Sequence, residues 1–442
     1  MKNTIKGGWR VAVYVILVLS PLGIVSIVSP YSSGSFIYEL GKSFALVGFA
    51  ILCLQSLLAA RLKFIEKAFG FDIVIRYHQY IALLGLVLII LHPVLVAWGG
   101  YGWDILIQLD TPWYIWAGKG ALLIFLVNVV LSMYQKKGGL KFEKWRVLHD
   151  IFAPLILGAG FIHSLTIGSD FQSVFMKYTW IGFLVLGMAS FMYHRFFKPF
   201  FLKKRQYTVD EVKKEAAHVW TLKMTPPRDE QVYDYAPGQF QFLTLYRGRD
   251  LPVEEHHFTI SSAPTQSGWV SSTIKELGDF TSTIGKTKPG DKVRVQAPFG
   301  RFSLKFYPHE KAPVFIAGGI GITPLISNLR YLRDTGDTRS VLLLYGNKKQ
   351  QDIVFHKELE EMEKSGKPRL KVIHVLQEPP ENWEGETGFI DRDKIERYCS
   401  EDIGAHSFWT CGPPGLIEKT LQNLKELGVA DKKIHLEIFS FL

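Results

Sequence analysis

Four histidines, set in two apolar runs at one repeated spacing, constrain this chain more than any other feature. His78 and His92 lie in RYHQYIALLGLVLIILHP, and His149 and His163 in RVLHDIFAPLILGAGFIHS; the members of each pair are 14 positions apart. That is about four helical turns, so both members of a pair share a face and stand roughly 21 Å apart along the axis. The separation fits inside a hydrocarbon core about 30 Å thick. An ionisable side chain at membrane depth is costly and marks function, and imidazole is a natural axial ligand for haem iron. Two such helices side by side would hold two haems, one above the other, each between one histidine from either helix. A buried, hydrogen-bonded histidine accounts for any one of the four taken alone; it does not account for the repeat.

The 442 residues divide into two dissimilar parts near Phe201. Before it, six apolar runs near residues 10–29, 39–60, 76–98, 113–134, 146–167 and 176–197 are long enough to span a bilayer. The first follows Lys2, Lys6 and Arg10 as a signal peptide would, but it is long and no small-residue cleavage site follows, so a retained helix is expected. Arg61, Lys63, Lys67 and Arg76 separate the second and third runs, Lys136, Lys137, Lys141, Lys144 and Arg146 the fourth and fifth, and Lys198, Lys203, Lys204 and Arg205 follow the sixth. The opposite loops are expected to hold Lys42, Asp104, Asp110, Asp170 and Lys177. The positive-inside rule then predicts a multi-pass protein of the cell membrane with both termini cytoplasmic. His78 lies level with His149 near the inner face, and His92 level with His163 near the outer face. This bias accounts for most of the net charge of +10, and no nucleic-acid partner is needed to explain it. Cys53, Cys399 and Cys411 are too scattered for a disulfide framework or an iron–sulfur centre.

After Phe201 the rhythm is strand-like. VWTLKM, GQFQFLTLY, HFTISSAP, WVSSTIKEL and DKVRVQAPFG, broken by Pro-Gly and Gly-Asp turns, predict a small antiparallel β-barrel. From Pro313 the order becomes strand, Gly-rich turn, helix, which predicts a parallel sheet with crossover helices. In the turn Gly318-Gly319-Ile320-Gly321-Ile322-Thr323-Pro324 the glycines let backbone approach a diphosphate, Thr323 can cap the helix and Pro324 suits its first turn. Cys411-Gly412-Pro413 follows another strand, at the carboxyl edge where open sheets bind ligands. His256-His257-Phe258-Thr259-Ile260-Ser261-Ser262 reads either as an ordinary strand or, in a barrel preceding a nucleotide fold, as a flavin site.

Together these segments resemble the ferric reductase and NADPH oxidase superfamily, over nearly the whole chain. The resemblance implies a transmembrane di-haem domain over residues 1–201, an FAD-binding β-barrel over 202–308 and an NAD(P)H-binding α/β domain over 309–442. His256, Phe258, Thr259, Ile260, Ser261 and Ser262 satisfy the family's flavin motif, with His257 in place of its usual proline. The resemblance places Thr259 near the isoalloxazine, and Gly278 and Thr281 of Lys275-Glu276-Leu277-Gly278-Asp279-Phe280-Thr281 against the pyrophosphate. Gly318, Gly319, Gly321, Thr323, Cys411, Gly412 and Pro413 match the nicotinamide-nucleotide motifs, with Cys411 beside the transferred hydride. The ending IHLEIFSFL resembles one in which an aromatic ring covers the flavin; Glu437, Phe439 and Phe441 share a face of an extended segment, and either phenylalanine suits the role.

Tyr345-Gly346-Asn347-Lys348-Lys349 follows the second nucleotide strand. Basic residues there either pair with a 2′-phosphate, which favours NADPH over NADH, or are simply solvated. Arg76 and Arg146 either meet haem propionates or serve as positive-inside anchors, and Gly85, Gly158 and Gly160 admit either a porphyrin or a neighbouring helix. Lys119 either snorkels to the outer surface or stabilises charge developing on oxygen beside the outer haem. The expected function is electron transfer from cytoplasmic NADPH through FAD and two b-type haems to a small acceptor outside. Oxygen giving superoxide comes first and a ferric chelate second; the alternative from another class is a haem subunit that relays electrons to a partner enzyme. No obligatory regulatory subunit is expected.

Overall fold

The computed structural model describes residues 2–28, 34–135, 137–399 and 402–438, and the chain separates into two compact units, residues 1–200 and 201–442. In the first unit the helices are α1 (Lys2–Val28), α2 (Phe36–Ala59), the short α3 (Lys63–Phe69), α4 (Phe71–Val96), the single turn α5 (Asp104–Ile107), α6 (Trp113–Tyr134), α7 (Phe142–Ile167), α8 (Val174–Met192) and α9 (Lys198–Lys204). Among the described residues six helical stretches are long and apolar enough to cross a membrane. Wider π-helical turns extend α4 over Ala97–Tyr101 and α8 over Tyr193–Phe197.

Helix α2 is the pillar of this unit. Small residues let its neighbours close on it: a Cβ on Gly48 would lie 2.7 Å from Ile89 of α4, one on Gly85 3.2 Å from Ile51, and one on Gly187 of α8 2.8 Å from the Cys53 carbonyl. Phe49 stacks on Trp180 at 4.8 Å, inside a cluster that also holds Ala50, Cys53, Leu54 and Phe183. Helix α4 thus leans on α2 while α7 leans on α6, and the two histidine-bearing helices bring His78 to His149 and His92 to His163.

Of the residues expected in outer loops, Asp104 opens the short α5, and two lie in membrane-length helices. Lys42 sits in the second turn of α2 and Lys177 in the first turn of α8. Lys42 is tolerated there because its ammonium meets Glu39 at 2.9 Å and the buried Asp170 at 3.1 Å. Lys42 and Lys177 thus join Lys119 of α6 as basic residues inside membrane-length helices.

The second unit begins with β1 (Tyr207–Ala216), β2 (Val219–Thr225), β3 (Phe240–Tyr246), β4 (Glu255–Thr259), β5 (Val270–Lys275) and β6 (Lys292–Phe299), an antiparallel sheet in the order β4-β3-β6-β1-β2-β5. It curls until its two edges meet just past β4, where Ser261 N–H donates to the Ser271 carbonyl at 2.9 Å. There follow β7 (Pro313–Gly318), α10 (Ile322–Thr335), β8 (Ser340–Asn347), α11 (His356–Ser365), β9 (Arg369–Leu376), β10 (Glu386–Thr387), α12 (Arg392–Tyr398), β11 (Ser407–Cys411), α13 (Pro414–Glu426) and β12 (Ile434–Glu437). Their strands form a parallel sheet in the order β10-β9-β8-β7-β11-β12, with the carboxyl ends of β7 and β11 side by side at its centre. The fold is six apolar helices followed by an antiparallel sheet and a parallel sheet with crossover helices, as the patterning predicts.

Candidate functional site

The histidines pair as their spacing predicts. The ring centres of His78 and His149 are 6.3 Å apart, and those of His92 and His163 are 6.4 Å apart, with the planes steeply inclined. An imidazole nitrogen bonds a first-row metal at about 2 Å and its ring centre lies about 1 Å further back, so rings on opposite sides of one ion have centres about 6 Å apart. Both pairs have this separation.

The second ring nitrogen supplies an independent test. His92 Nδ1 donates to the Gly41 carbonyl at 3.0 Å, His163 Nδ1 to the Tyr114 carbonyl at 2.9 Å, and His149 Nδ1 to Asn128 Oδ1 at 3.0 Å. Each partner only accepts, so each of these rings carries its proton on Nδ1 and presents a bare Nε2. Between His92 and His163 two bare nitrogens therefore face each other; they cannot bond each other, whereas an ion between them satisfies both. His78 differs from the other three: the Gln55 side-chain amide donates to its Nδ1 at 2.6 Å.

The surroundings suit a flat macrocycle. A Cβ on Gly158 would meet nothing within 4 Å, while Gly85 and Gly160 are occupied by Ile51 and Phe49, so of the three glycines only Gly158 leaves room. Gly118 packs directly on His163, where a Cβ would lie 2.6 Å from Nδ1. Arg146 has a buried Nε without a hydrogen-bond partner, the kind of orphan donor that a propionate would satisfy, whereas Arg76 is exposed and paired with Asp72 at 3.1 Å. Lys119 Nζ donates to the Gln108 carbonyl at 3.0 Å and lies over the Trp116 ring, the posture of a snorkelling side chain.

In the antiparallel sheet, strand alternation separates the two neighbouring histidines. His256 stacks on Phe280 at 4.1 Å and meets Glu254 at 2.9 Å, while His257 lies among Phe240 and Phe242. His256 is therefore the one brought to the turn that holds Gly278 and Thr281. In that turn Thr281 Oγ1 accepts from the N–H groups of Leu277 and Gly278, both at 2.9 Å, and these are donors that a pyrophosphate could take over. Lys275 ends β5 just before the turn. Phe258 packs against the sheet's core, Ile260 is fully buried in it and Thr259 is buried at the strand's end.

Ser261 and Ser262 do something sequence reasoning did not anticipate. Their carbonyls accept from helix α10: Ser327 Oγ donates to the Ser262 carbonyl at 2.6 Å and Arg330 Nη1 to the Ser261 carbonyl at 2.7 Å. Ser327 is fully buried and also accepts from the Gly238 N–H at 3.1 Å, while a double contact with Glu358 at 2.8 and 2.6 Å orients Arg330. The helix that starts at the dinucleotide turn is thus fastened along its flank to the flavin strand.

At the parallel sheet's carboxyl edge, Gly318, Gly321 and Gly412 are glycines because two loops interlock. A Cβ on Gly321 would overlap the Cys411 carbonyl, and one on Gly318 would lie 2.8 Å from Pro413. Gly319, with φ +52 and nothing within 4 Å of a Cβ, is the open one. Thr323 does not cap the helix. Gly321 holds that position, and Thr323 lies within the first turn, donating back to the Ile320 carbonyl at 3.0 Å. The bend at Gly319–Gly321 starts the helix earlier than the Thr-Pro pair suggests.

Cys411 is wholly buried, and burial, aided by Glu437 beside it in the ladder, pushes its thiol well up, so it is a neutral thiol. Tyr345 lies inside the sheet, its hydroxyl donating to the Gly319 carbonyl at 3.1 Å, so it supports the turn from beneath, next to Gly346. Lys348 and Lys349 both reach Glu378, at 3.2 and 3.6 Å. Phe439 and Phe441 lie outside the described residues.

Comparison with known proteins gives three matches in series. A family model described as a ferric reductase like transmembrane component matches residues 44–160, an FAD-binding domain matches 206–296, and an oxidoreductase NAD-binding domain matches 315–422. NADH-cytochrome b5 reductase 1 from Mycosarcoma maydis is 27% identical over 228 residues, 51% of this chain and 69% of that protein. NADH-cytochrome b5 reductase 2 from Phaeosphaeria nodorum is 30% identical over 181 residues, 39% of this chain; the alignment spans 53% of that relative's length. A component of the Na(+)-translocating NADH-quinone reductase of Neisseria meningitidis is 27% identical over 282 residues, 54% of this chain and 69% of that component. Among solved structures, flavohemoglobin from Malassezia yamatoensis is similar at a TM-score of 0.50 and 18% identity, covering 92% of this chain and all of that one, a likeness of fold alone.

Proposed function

Because the chain has the ferric reductase and NADPH oxidase-like architecture, a transmembrane domain followed by FAD- and NAD-binding domains, we propose that it carries electrons from cytoplasmic NAD(P)H through FAD and two b-type haems to an acceptor beyond the outer face. The observation that carries the reading is the pair of facing histidine couples, 6.3 and 6.4 Å across, with the second nitrogen engaged by an acceptor on three of the four rings. Bound flavin would supply the exchange of a hydride for single electrons, and haem a one-electron station inside an apolar layer that a solvated charge cannot enter.

The chain's own residues supply binding and orientation. His78 with His149 and His92 with His163 would hold the two haem irons through ring nitrogens, and Arg146 would donate to a propionate. The turn at Gly278–Thr281 and His256 receive the flavin's pyrophosphate end. Gly319 and the start of α10 would hold the dinucleotide, and Cys411, a neutral thiol, would add no charge beside its nicotinamide. Glu378 occupies both Lys348 and Lys349, which favours NADH as the donor, and the relatives above bear NADH in their names.

The acceptor we place first is oxygen, giving superoxide; a ferric chelate is the second reading. In proteoliposomes supplied with NADH on the side of the reductase module, cytochrome c on the opposite side is expected to be reduced in a manner that superoxide dismutase suppresses. Dismutase-insensitive reduction, with fast turnover of a ferric chelate under anaerobiosis, would reassign the acceptor and leave the electron path standing.

A further inference from the structure

Among the described residues of the first unit, the only buried side-chain amides are Gln55 and Asn128, and both are set against the inner histidine pair. The outer pair is held differently: His92 and His163 donate to the backbone carbonyls of Gly41 and Tyr114, which no substitution of those residues' side chains removes. An amide buried in an apolar helix costs free energy unless it is bonded, so its place needs a reason.

Asn128 has a defined one. Its Oδ1 lies 3.0 Å from His149 Nδ1, and its own backbone carbonyl accepts from Ser132 Oγ at 2.7 Å. Ser132 in turn accepts from the Trp145 indole at 3.1 Å, and that indole ring lies 5.3 Å from the His149 ring. His149 is thus fixed on its Nδ1 edge and on one face by a closed network between α6 and α7. An acceptor at Nδ1 makes the opposite nitrogen a stronger base, and a stronger axial donor favours the oxidised metal.

We propose that Asn128 is a positioning residue that fixes the tautomer and orientation of His149 and sets the reduction potential of the inner haem independently of the outer one. The inference rests on the bis-histidine reading above. Inner and outer sites differ in kind: one acceptor is a side chain that substitution can tune, the others are fixed by the helices themselves.

The test is spectroelectrochemical titration, with haem quantitation, of the full-length protein in detergent and of its Asn128→Leu and Asn128→Asp variants. The expected result is that one of two haem midpoints moves up in Asn128→Leu, which removes the acceptor, and the same midpoint moves down in Asn128→Asp, which strengthens it. The other midpoint stays in place. Loss of packing would move both variants the same way, so opposite shifts mark an electronic role. Midpoints that stay at their wild-type values, or that move in parallel, in variants retaining two haems overturn the inference alone. A wild-type protein with fewer than two haems overturns the bis-histidine reading itself.

Discussion

Gly118 has no room for a side chain, because a Cβ there would lie 2.6 Å from the Nδ1 that His163 uses to bond Tyr114. Gly118→Ala is therefore expected to cost the protein its outer haem while leaving the inner one, read as a loss of about half the haem absorbance. Burial sets the chemistry of the thiols in the reductase half. It pushes Cys399 up to about 12 and Cys411 well up, so at pH 8 both are neutral. Neither is expected to react with iodoacetamide in the folded protein, which mass spectrometry of the labelled chain would check. At the ribose edge, Glu378→Gln frees two lysines from their shared carboxylate and is expected to raise kcat/KM for NADPH several-fold relative to NADH. The two facing histidine pairs were legible because periodicity alone predicts which residues share a face. Their partners were not: Gly41 and Tyr114 act through backbone carbonyls, which any residue would supply, and Asn128 showed only as a lone amide in FLVNVVL.

Helix α10 joins two functions on one rigid element. Its first turn follows the open Gly319, and its flank bonds the carbonyls of Ser261 and Ser262 through Arg330 and Ser327. Removing the Ser327 hydroxyl leaves a buried carbonyl and the Gly238 N–H without that partner, a cost of about 1–3 kcal/mol. Because a shift of about 1 Å between reacting groups costs on the order of 100-fold in rate, Ser327→Ala is expected to slow flavin reduction by NADH while FAD stays bound. Anaerobic stopped-flow bleaching of the flavin, beside a flavin content assay, measures both. Unchanged bleaching would reduce the seam to scaffolding. The strand–turn–helix order was readable from Gly318 to Pro324, but the helix start was not. Gly321 occupies the cap position through backbone geometry, while Thr323, the better capping side chain, bonds Ile320 from inside the helix. The seam was invisible in sequence because Ser261 and Ser262 take part through their carbonyls, and no residue type announces that.

The whole chain pairs a membrane unit built on α2 with a reductase unit built on two sheets, and the split in composition near Phe201 falls beside the division between compact units at residue 200. Hydropathy was sufficient to find the six spans, since apolar length is what crossing a bilayer demands. It misplaced Lys42, because a charge inside a helix is tolerated when Glu39 and Asp170 close around it, and those contacts arise only on folding. The account as a whole stands on four histidines holding two irons. The most direct measurement is haem quantitation of the purified full-length protein beside His92→Ala and His78→Ala. Two b-type haems in the wild type and one in either variant are expected, with NADH still reducing the flavin in both. A single haem in the wild type, or two retained in either variant, would contradict it.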